Sequence, residues 1–400
     1  MQTPVHPARD KTPLYLMLAM AALWALLHAM IGGSFFGPAY YNTYTRQALA
    51  WREGLLHLPE DVPYLELAIY EGEYYVSFPP LPSVILWPLT FLFGIDTPDN
   101  LLVKLYSMGA CLLMYHALKK AGYSRGAGAG LAFLICFASS MLPMSMNGAV
   151  WYHAQVLAFF LTMAAVCFLT MDRPTLALFS YALSVACRPF NALYALPLFF
   201  TWFSLHRKAG VSWRDTIRPL IPGVCLGLCV AAAIGIYNYV RFGNPLEFGH
   251  NYLPEFSFQG GIQFSLSHVE NHLKTFLWGA PLHRAENGSW AVPLFGYSML
   301  LACPTLTLML VGFLLDLVKK RMTWEKAVVL FTCVLHGFFL LFHRTFGGFQ
   351  LGARYAVDLI PYTFLYLLLT KEKKEVSPAE WAFLGLTLLF TIWGMNQVHI

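Results

Sequence analysis

The chain has 400 residues, of which 58% are hydrophobic and 12% charged, with a mean hydropathy of +0.55. A soluble domain carries about 25% charged residues, so this balance excludes an ordinary soluble fold and points to a polytopic membrane protein. The net charge of +5 is spread thinly over short loops, which excludes a nucleic-acid-binding face built on a basic patch.

Arg9 and Lys11 precede an apolar run from about Leu14 to Gly33. It is longer than the apolar core of a signal peptide and no small-residue cleavage site follows, so it reads as a retained first span. A polar segment runs from Ser34 to Pro80. Leu81–Ile95 is apolar but short, and it contains Pro82 and Pro88. If it crossed the membrane, the loop from Lys119 to Arg125 would face outward and every later loop would invert, against the positive-inside rule. It is therefore assigned as a juxtamembrane helix within the first outer loop.

The remaining spans are Asn100–Leu118, Gly130–Gly148, Ala154–Met171, Pro174–Cys187, Phe190–Leu205, Arg218–Val240, Leu294–Leu317, Ala327–His343, Tyr355–Thr370 and Ala379–Met395. The expected architecture is one all-α domain over residues 1–400, with about 11 transmembrane helices, the N-terminus inside and the C-terminus outside. On this assignment 17 of the 26 Lys and Arg residues fall on the inner side. Two outer loops are long, residues 34–99 and 241–293. The second contains Ser265–Trp278, whose apolar residues recur near helical spacing, as in an amphipathic helix on the membrane surface. Arg188-Pro189 divides two short spans, which meet below the outer surface near a water-filled cavity.

Several chemistries are excluded by pattern. The eight cysteines (Cys111, Cys136, Cys167, Cys187, Cys225, Cys229, Cys303 and Cys333) all lie in or beside apolar segments, with no C-x-x-C, which excludes a disulfide framework or structural zinc site. Gly126-x-Gly128-x-Gly130 lacks the strand and the Lys-Ser/Thr of a phosphate loop and reads as a flexible inner turn. No His-Glu-x-x-His or Gly-x-Ser-x-Gly occurs.

The first outer loop concentrates carboxylates: Glu53, Glu60, Asp61, Glu66, Glu71 and Glu73. Each either solvates the loop or serves as a general base or metal ligand. Glu66 stands apart because it opens an aromatic, proline-bounded stretch that runs to Pro82. Arg354 begins a span on the outer side; it either snorkels, binds phosphate through its guanidinium fork, or pairs with Asp358 four residues on. Arg188 and Arg241 are further outward cations. Trp151-Tyr152-His153 is an interfacial belt, unless His153 and Gln155 face the cavity.

These residues resemble a family. One span, then a carboxylate-bearing outer loop, then Tyr74-Tyr-x-x-Phe-Pro-Pro-Leu-Pro82 leading into a polytopic bundle, is similar to the GT-C membrane glycosyltransferases. That group includes the protein O-mannosyltransferases and lipid A aminoarabinose transferases, and the chain looks most like bacterial members with an acid followed by Tyr-x-Gly-x-Tyr-Tyr, as in Glu66 to Tyr75 here. Tyr239-x-Arg-Phe-Gly-Asn-Pro245 and Gly352-Ala-Arg-Tyr-Ala-Val-Asp-Leu-Ile-Pro361 also resemble segments of it. Relatives often carry an acidic pair just after the first span; here Gly37-Pro-Ala-Tyr-Tyr-Asn-Thr-Tyr-Thr-Arg46 has none, and Glu66 matches the acid of the second motif.

The resemblance implies inverting transfer of a sugar from a polyprenyl-phosphate donor to a glycan, lipid or protein acceptor at the outer face of a bacterial inner membrane. Glu66 is the expected base, and Arg354, Arg188 and Arg241 are the expected phosphate-binding cations. Tyr70, Tyr74, Tyr75 and His153 are expected to line the substrate path. No cofactor is assigned; a divalent metal ion stays open, with its ligands unnamed. The competing readings are a transporter or flippase of lipid-linked sugars, whose paired broken helices in two repeats are not evident, and a non-catalytic assembly partner.

Overall fold

The computed structural model describes residues 10–257, 262–345, 347–370 and 375–398. Arg9, Lys371, Lys373 and Lys374, which enter the charge argument, lie outside the described residues. Helix α1 (Thr12–Ile31) starts on Pro13 and stops at Gly32 and Gly33, both at positive φ. Next come α2 (Thr43–Arg52), the strands β1 (Leu67–Tyr70) and β2 (Glu73–Val76), and α3 (Leu81–Phe93). Helices α4 (Asp99–Lys120), α5 (Arg125–Phe137), α6 (Met141–Met144) and α7 (Val150–Thr170) form the first half of the bundle. Helix α8 (Pro174–Val185) is followed by a 3-10 turn at Pro189–Tyr194 that runs into α9 (Ala195–Lys208). The short α10 (Trp213–Ile217) leads into α11 (Ile221–Phe242).

The second long loop holds α12 (Pro254–Ser257), α13 (Leu266–Trp278) and a two-residue hairpin of β3 (His283–Arg284) with β4 (Trp290–Ala291). The chain ends with α14 (Met299–Ala302), α15 (Pro304–Val318), α16 (Trp324–Phe342), a 3-10 turn at Arg354–Leu359 running into α17 (Ile360–Thr370), and α18 (Pro378–Val398). Helix α13 is capped by the Ser265 hydroxyl, as its amphipathic pattern predicts.

Hydrogen bonds at the helix ends fix the direction of each run. Asp10, just before α1, is bonded to Lys119 at the end of α4 (2.5 Å) and to Tyr115 (2.7 Å), so α1 and α4 are antiparallel. At the other end, Asn100 at the start of α4 donates to the Ser34 carbonyl (3.1 Å), just past α1. The 34–99 insertion therefore leaves and re-joins the bundle at one end, and α3 makes no net crossing.

Among the described residues, six helical runs are long and apolar enough to span a membrane: α1, α4, α7, α10–α11, α16 and α18. Between them α5–α6, α8, α9, α15 and α17 run between the same two ends. That gives the expected alternation of 11 traversals in a multi-pass membrane protein. One end collects Lys119, Lys120, Arg125, Arg207, Lys208, Lys319, Lys320 and Arg321; the other collects both long loops. The core includes Trp24, Phe137, Phe159 and Phe364, and all eight cysteines are unpaired.

Three local expectations are corrected. Residues 130–148 are not one helix: α5 ends at Phe137, and Gly148 reaches the far end as extended chain, its N–H donating to Asn100 Oδ1 (2.7 Å). The glycine run 126–130 is no flexible turn but the first two turns of α5. A Cβ on Gly130 would lie 2.8 Å from the Trp381 ring, so Gly130 is a helix-packing contact. Residues 67–76, read as loop, form a hairpin in which Glu71 (φ 51°) and Gly72 (φ 86°) make the two-residue turn.

Candidate active site

At the loop-bearing end the helix termini surround a cavity of about 870 Å³. Its walls come from distant parts of the chain: Tyr41 and Tyr44 of the first loop, Glu66, Ser77–Pro79 before α3, Trp151 and Tyr152 in the first turn of α7, Arg188–Phe190, parts of 246–255 with Gln263 and Phe264 in the second loop, and parts of 340–345 and 347–355.

Glu66 is exposed to the cavity immediately before β1, and the Trp151 indole N–H donates to its Oε2 (2.9 Å). The next residue in α7, Tyr152, faces a different group. Its ring lies 5.9 Å from the Arg354 guanidinium carbon, and its hydroxyl donates to the Phe349 carbonyl (3.1 Å). Two consecutive aromatic residues at one helix start thus hold a carboxylate and a cation around one cavity.

Arg354 is 7% exposed and donates from Nε to the Gly347 carbonyl (2.7 Å). Among the described residues it has no carboxylate partner within ion-pair distance. Asp358, the partner its spacing suggested, turns to Arg188 instead (2.5 Å). Gln155 fixes that geometry by donating from one amide nitrogen to both Asp358 Oδ1 (2.9 Å) and the Arg354 carbonyl (2.8 Å). Arg188 is therefore a neutralised cation at the cavity wall, while Arg354, without a carboxylate at ion-pair distance among the described residues, feels Asp358 only at longer range.

The cavity also lies at helix starts: α7 at Val150, the Pro189 turn feeding α9, and the Arg354 turn feeding α17. The positive end of the α7 dipole lies there, although the Val150 N–H is taken by the Tyr41 carbonyl (3.1 Å) and the Arg354 N–H by Gln350 Oε1 (2.7 Å). An anion seated there meets Arg354 and the partial positive charge of the α7 start.

The other sequence candidates lie elsewhere. Tyr70 stacks on Tyr252 (4.6 Å) and Phe242 (5.5 Å), Tyr75 packs on Phe242 (5.1 Å), and Tyr74 holds Leu58 through its backbone carbonyl (2.8 Å). Tyr70 and Tyr75 fasten the hairpin to the end of α11 and to the second loop, and Tyr74 fastens it to the first loop. Glu71 beside Tyr70 and burial of Tyr75 each push the phenol pKa up, so both stay protonated. Arg241 is buried, donating to the Val76 carbonyl (3.0 Å) and Asn238 Oδ1 (3.0 Å). His153 is fully buried, its Nδ1 3.8 Å from Asp99 Oδ1.

Sequence reading overlooked Tyr41, Tyr44, Glu247, His250, Glu255 and His343, which line the cavity. Glu247 is anchored by the Gly249 N–H (2.6 Å) and the Asn251 amide (2.7 Å). No local motif marks these residues, which come from the first loop, the irregular second loop and the end of α16. Among the described residues no group of three or more His, Cys, Asp or Glu is placed to hold a metal ion.

No protein-family profile and no curated protein sequence matches the chain. Solved structures do. The apo oligosaccharyltransferase of Archaeoglobus fulgidus superposes with a TM-score of 0.53 at 13% identity, over 98% of this chain and 56% of that one. ArnT from Cupriavidus metallidurans, bound to undecaprenyl phosphate, gives 0.52 at 15% identity, over 94% and 63%. The A. fulgidus oligosaccharyltransferase AglB, in complex with an inhibitory peptide and a dolichol-phosphate, gives 0.52 at 13% identity, over 98% and 56%. The chain spans less than two thirds of the length of each. At such identity the likeness is one of architecture: the chain has the GT-C fold.

Proposed function

We propose that this protein transfers a sugar from a polyprenyl-phosphate donor to an acceptor hydroxyl at the outer face of a bacterial inner membrane. The observation that carries the reading is the pairing around one cavity of an exposed carboxylate, Glu66, with an arginine lacking a near carboxylate partner, Arg354. The solved neighbours bound to undecaprenyl phosphate and to a dolichol-phosphate support a lipid-phosphate donor on the same fold. Orientation follows from the charge: the basic end lies in the cytoplasm, which puts the cavity outside.

In this reading the donor phosphate sits against Arg354 and the α7 start. The Glu66 carboxylate accepts the proton of the acceptor hydroxyl as its oxygen attacks the anomeric carbon from the face opposite the phosphate. The bond from that carbon to the phosphate oxygen breaks, and its electron pair leaves on the phosphate. The leaving group needs stabilised charge more than a proton, which an arginine fork and helix N-termini supply. Arg188, already balanced by Asp358, shapes the wall and adds little net field.

The test is transfer from a panel of polyprenyl-phosphate sugars by the purified full chain in lipid nanodiscs. Glu66→Gln is expected to lower turnover by roughly 10²–10⁴, the usual range for loss of a general base. Arg354→Ala should lower it by a similar order. Undiminished transfer by either variant removes that residue from the mechanism, and movement of intact lipid without sugar transfer replaces the reading with a flippase.

A further inference from the structure

The stretch where relatives carry acids carries two tyrosines here, Tyr40 and Tyr41, and the structure puts them to use. Tyr41 lines the cavity with its ring centre 4.9 Å from that of Trp151, the residue that holds Glu66. From Tyr41 the rings continue outward, to Tyr40 at 5.1 Å and Tyr64 at 6.2 Å. Tyr40 and Tyr64 lie 4.6 Å apart, inclined by 31°, and are 67% and 38% exposed. Four aromatic rings therefore form a ladder from open solvent to the carboxylate.

The ladder is built rather than loose. Arg46 donates from Nη2 to the Tyr64 hydroxyl (3.1 Å) and from Nε to Asn42 Oδ1 (3.0 Å), which ties the outer ring to α2. Its surroundings are charged: Glu60 and Asp61 are exposed beside Tyr64, and Glu66 ends the row. A patch meant for acyl chains would not carry these charges, since ionised groups in contact with hydrocarbon are strongly disfavoured. What suits it is a ligand with one apolar C–H face for the rings and hydroxyl edges for the phenols, Arg46 and Glu66. A pyranose has that construction, and a chain of them repeats it along a row of rings. An extended peptide offers no such repeated face.

We propose that Tyr40, Tyr64, Tyr41 and Trp151 form an acceptor track for a glycan chain, delivering its terminal hydroxyl to Glu66. The proposal rests on the transfer reading above for its role, but the binding it asserts stands independently. The track names the acceptor as carbohydrate rather than peptide or lipid.

The experiment is binding of linear hexasaccharides (β-1,4-glucose, β-1,4-N-acetylglucosamine and α-1,4-glucose) to the full chain in nanodiscs, followed by saturation-transfer NMR. Donor turnover is measured in parallel. Wild type is expected to bind at least one of them. Tyr40→Ala and Tyr64→Ala, both exposed and outside the packed core, should each weaken it about five- to tenfold and raise KM for the glycan acceptor. Hexasaccharide binding without turnover of any donor would leave the track standing and defeat the transfer reading. Turnover with no hexasaccharide bound overturns the track, as does ring-dependent binding of an acceptor peptide instead. A Tyr64→Trp variant whose added fluorescence is quenched by brominated acyl chains also overturns it, because the ladder would then be an interfacial belt.

Discussion

Two arginines that look alike in sequence do different work, and the difference is one carboxylate. Asp358 is buried and paired with Arg188, whereas Arg354 bonds the Gly347 carbonyl and lines the cavity without a carboxylate at ion-pair distance among the described residues. Removing one partner of a buried pair strands the other, at a cost of about 3–5 kcal/mol. Asp358→Asn should therefore lower thermal stability markedly, while Arg354→Ala should leave the unfolding midpoint within a few degrees and act on turnover. Similar midpoints for the two variants would erase the distinction. Trp151 belongs to the same scale. Its hydrogen bond orients Glu66 without touching the reacting atoms, so Trp151→Phe should slow transfer about tenfold, the order of one hydrogen bond to a charged group. The fold should survive, since the phenyl ring retains the contact with Tyr41; a Trp151→Phe enzyme with unchanged kcat would remove the indole from that task.

Among elements, close backbone contacts decide what the glycines are for. Gly148 passes so near the start of α4 that a Cβ there would lie 2.5–2.7 Å from the Asp99 backbone, which has no room to yield. Gly148→Ala should cost about 1–3 kcal/mol, the range for overpacking, and shift the Asn100 contact that joins α4 to the chain after α1; unchanged melting would show that the segment moves freely. At the opposite end Asp10 holds α1 to α4. The hydrogen bond from Lys119 keeps the Asp10 carboxyl far below the usual carboxylate range. A depressed folded-state pKa gives stability that is present above the unfolded value, about 3.9, and fades only as pH falls through the folded one. The latch is thus fully engaged at neutral pH. Asp10 is only partly covered, so its weight is small: Asp10→Asn should lower stability slightly at pH 7 and leave it unchanged in strong acid, flattening the acid side of the stability curve, as followed by circular dichroism.

At the scale of the whole molecule, the hydrogen bonds at helix ends and the charge distribution give one topology. Both long loops and the cavity share an end, and the lysine- and arginine-rich turns share the other. A membrane-impermeant maleimide should label Gly54→Cys in intact cells and Ala121→Cys only after permeabilisation, in a background with the eight unpaired cysteines replaced. The reverse pattern would turn the protein over and put the cavity in the cytoplasm.

The sequence by itself determined the class and most of the layout. Apolar length sets which runs can cross hydrocarbon, and the basic charge gathers at one end of them; both are local quantities summed along the chain. It also marked Glu66, Arg188 and Arg354, because charges beside apolar runs are conspicuous. It did not show that Gly126–Gly130 is helical, since the Trp381 ring that packs on Gly130 lies some 250 residues away. Nor did it show the hairpin, although Glu71-Gly72 between alternating residues was a readable signal. Which arginine stays free, which tyrosines face the cavity and which only fasten the hairpin depended on partners distant in the chain. Only the tertiary structure brings Trp151 of α7 against Glu66 and Tyr41 of the first loop, because a site formed at helix ends draws its residues from segments far apart in the chain.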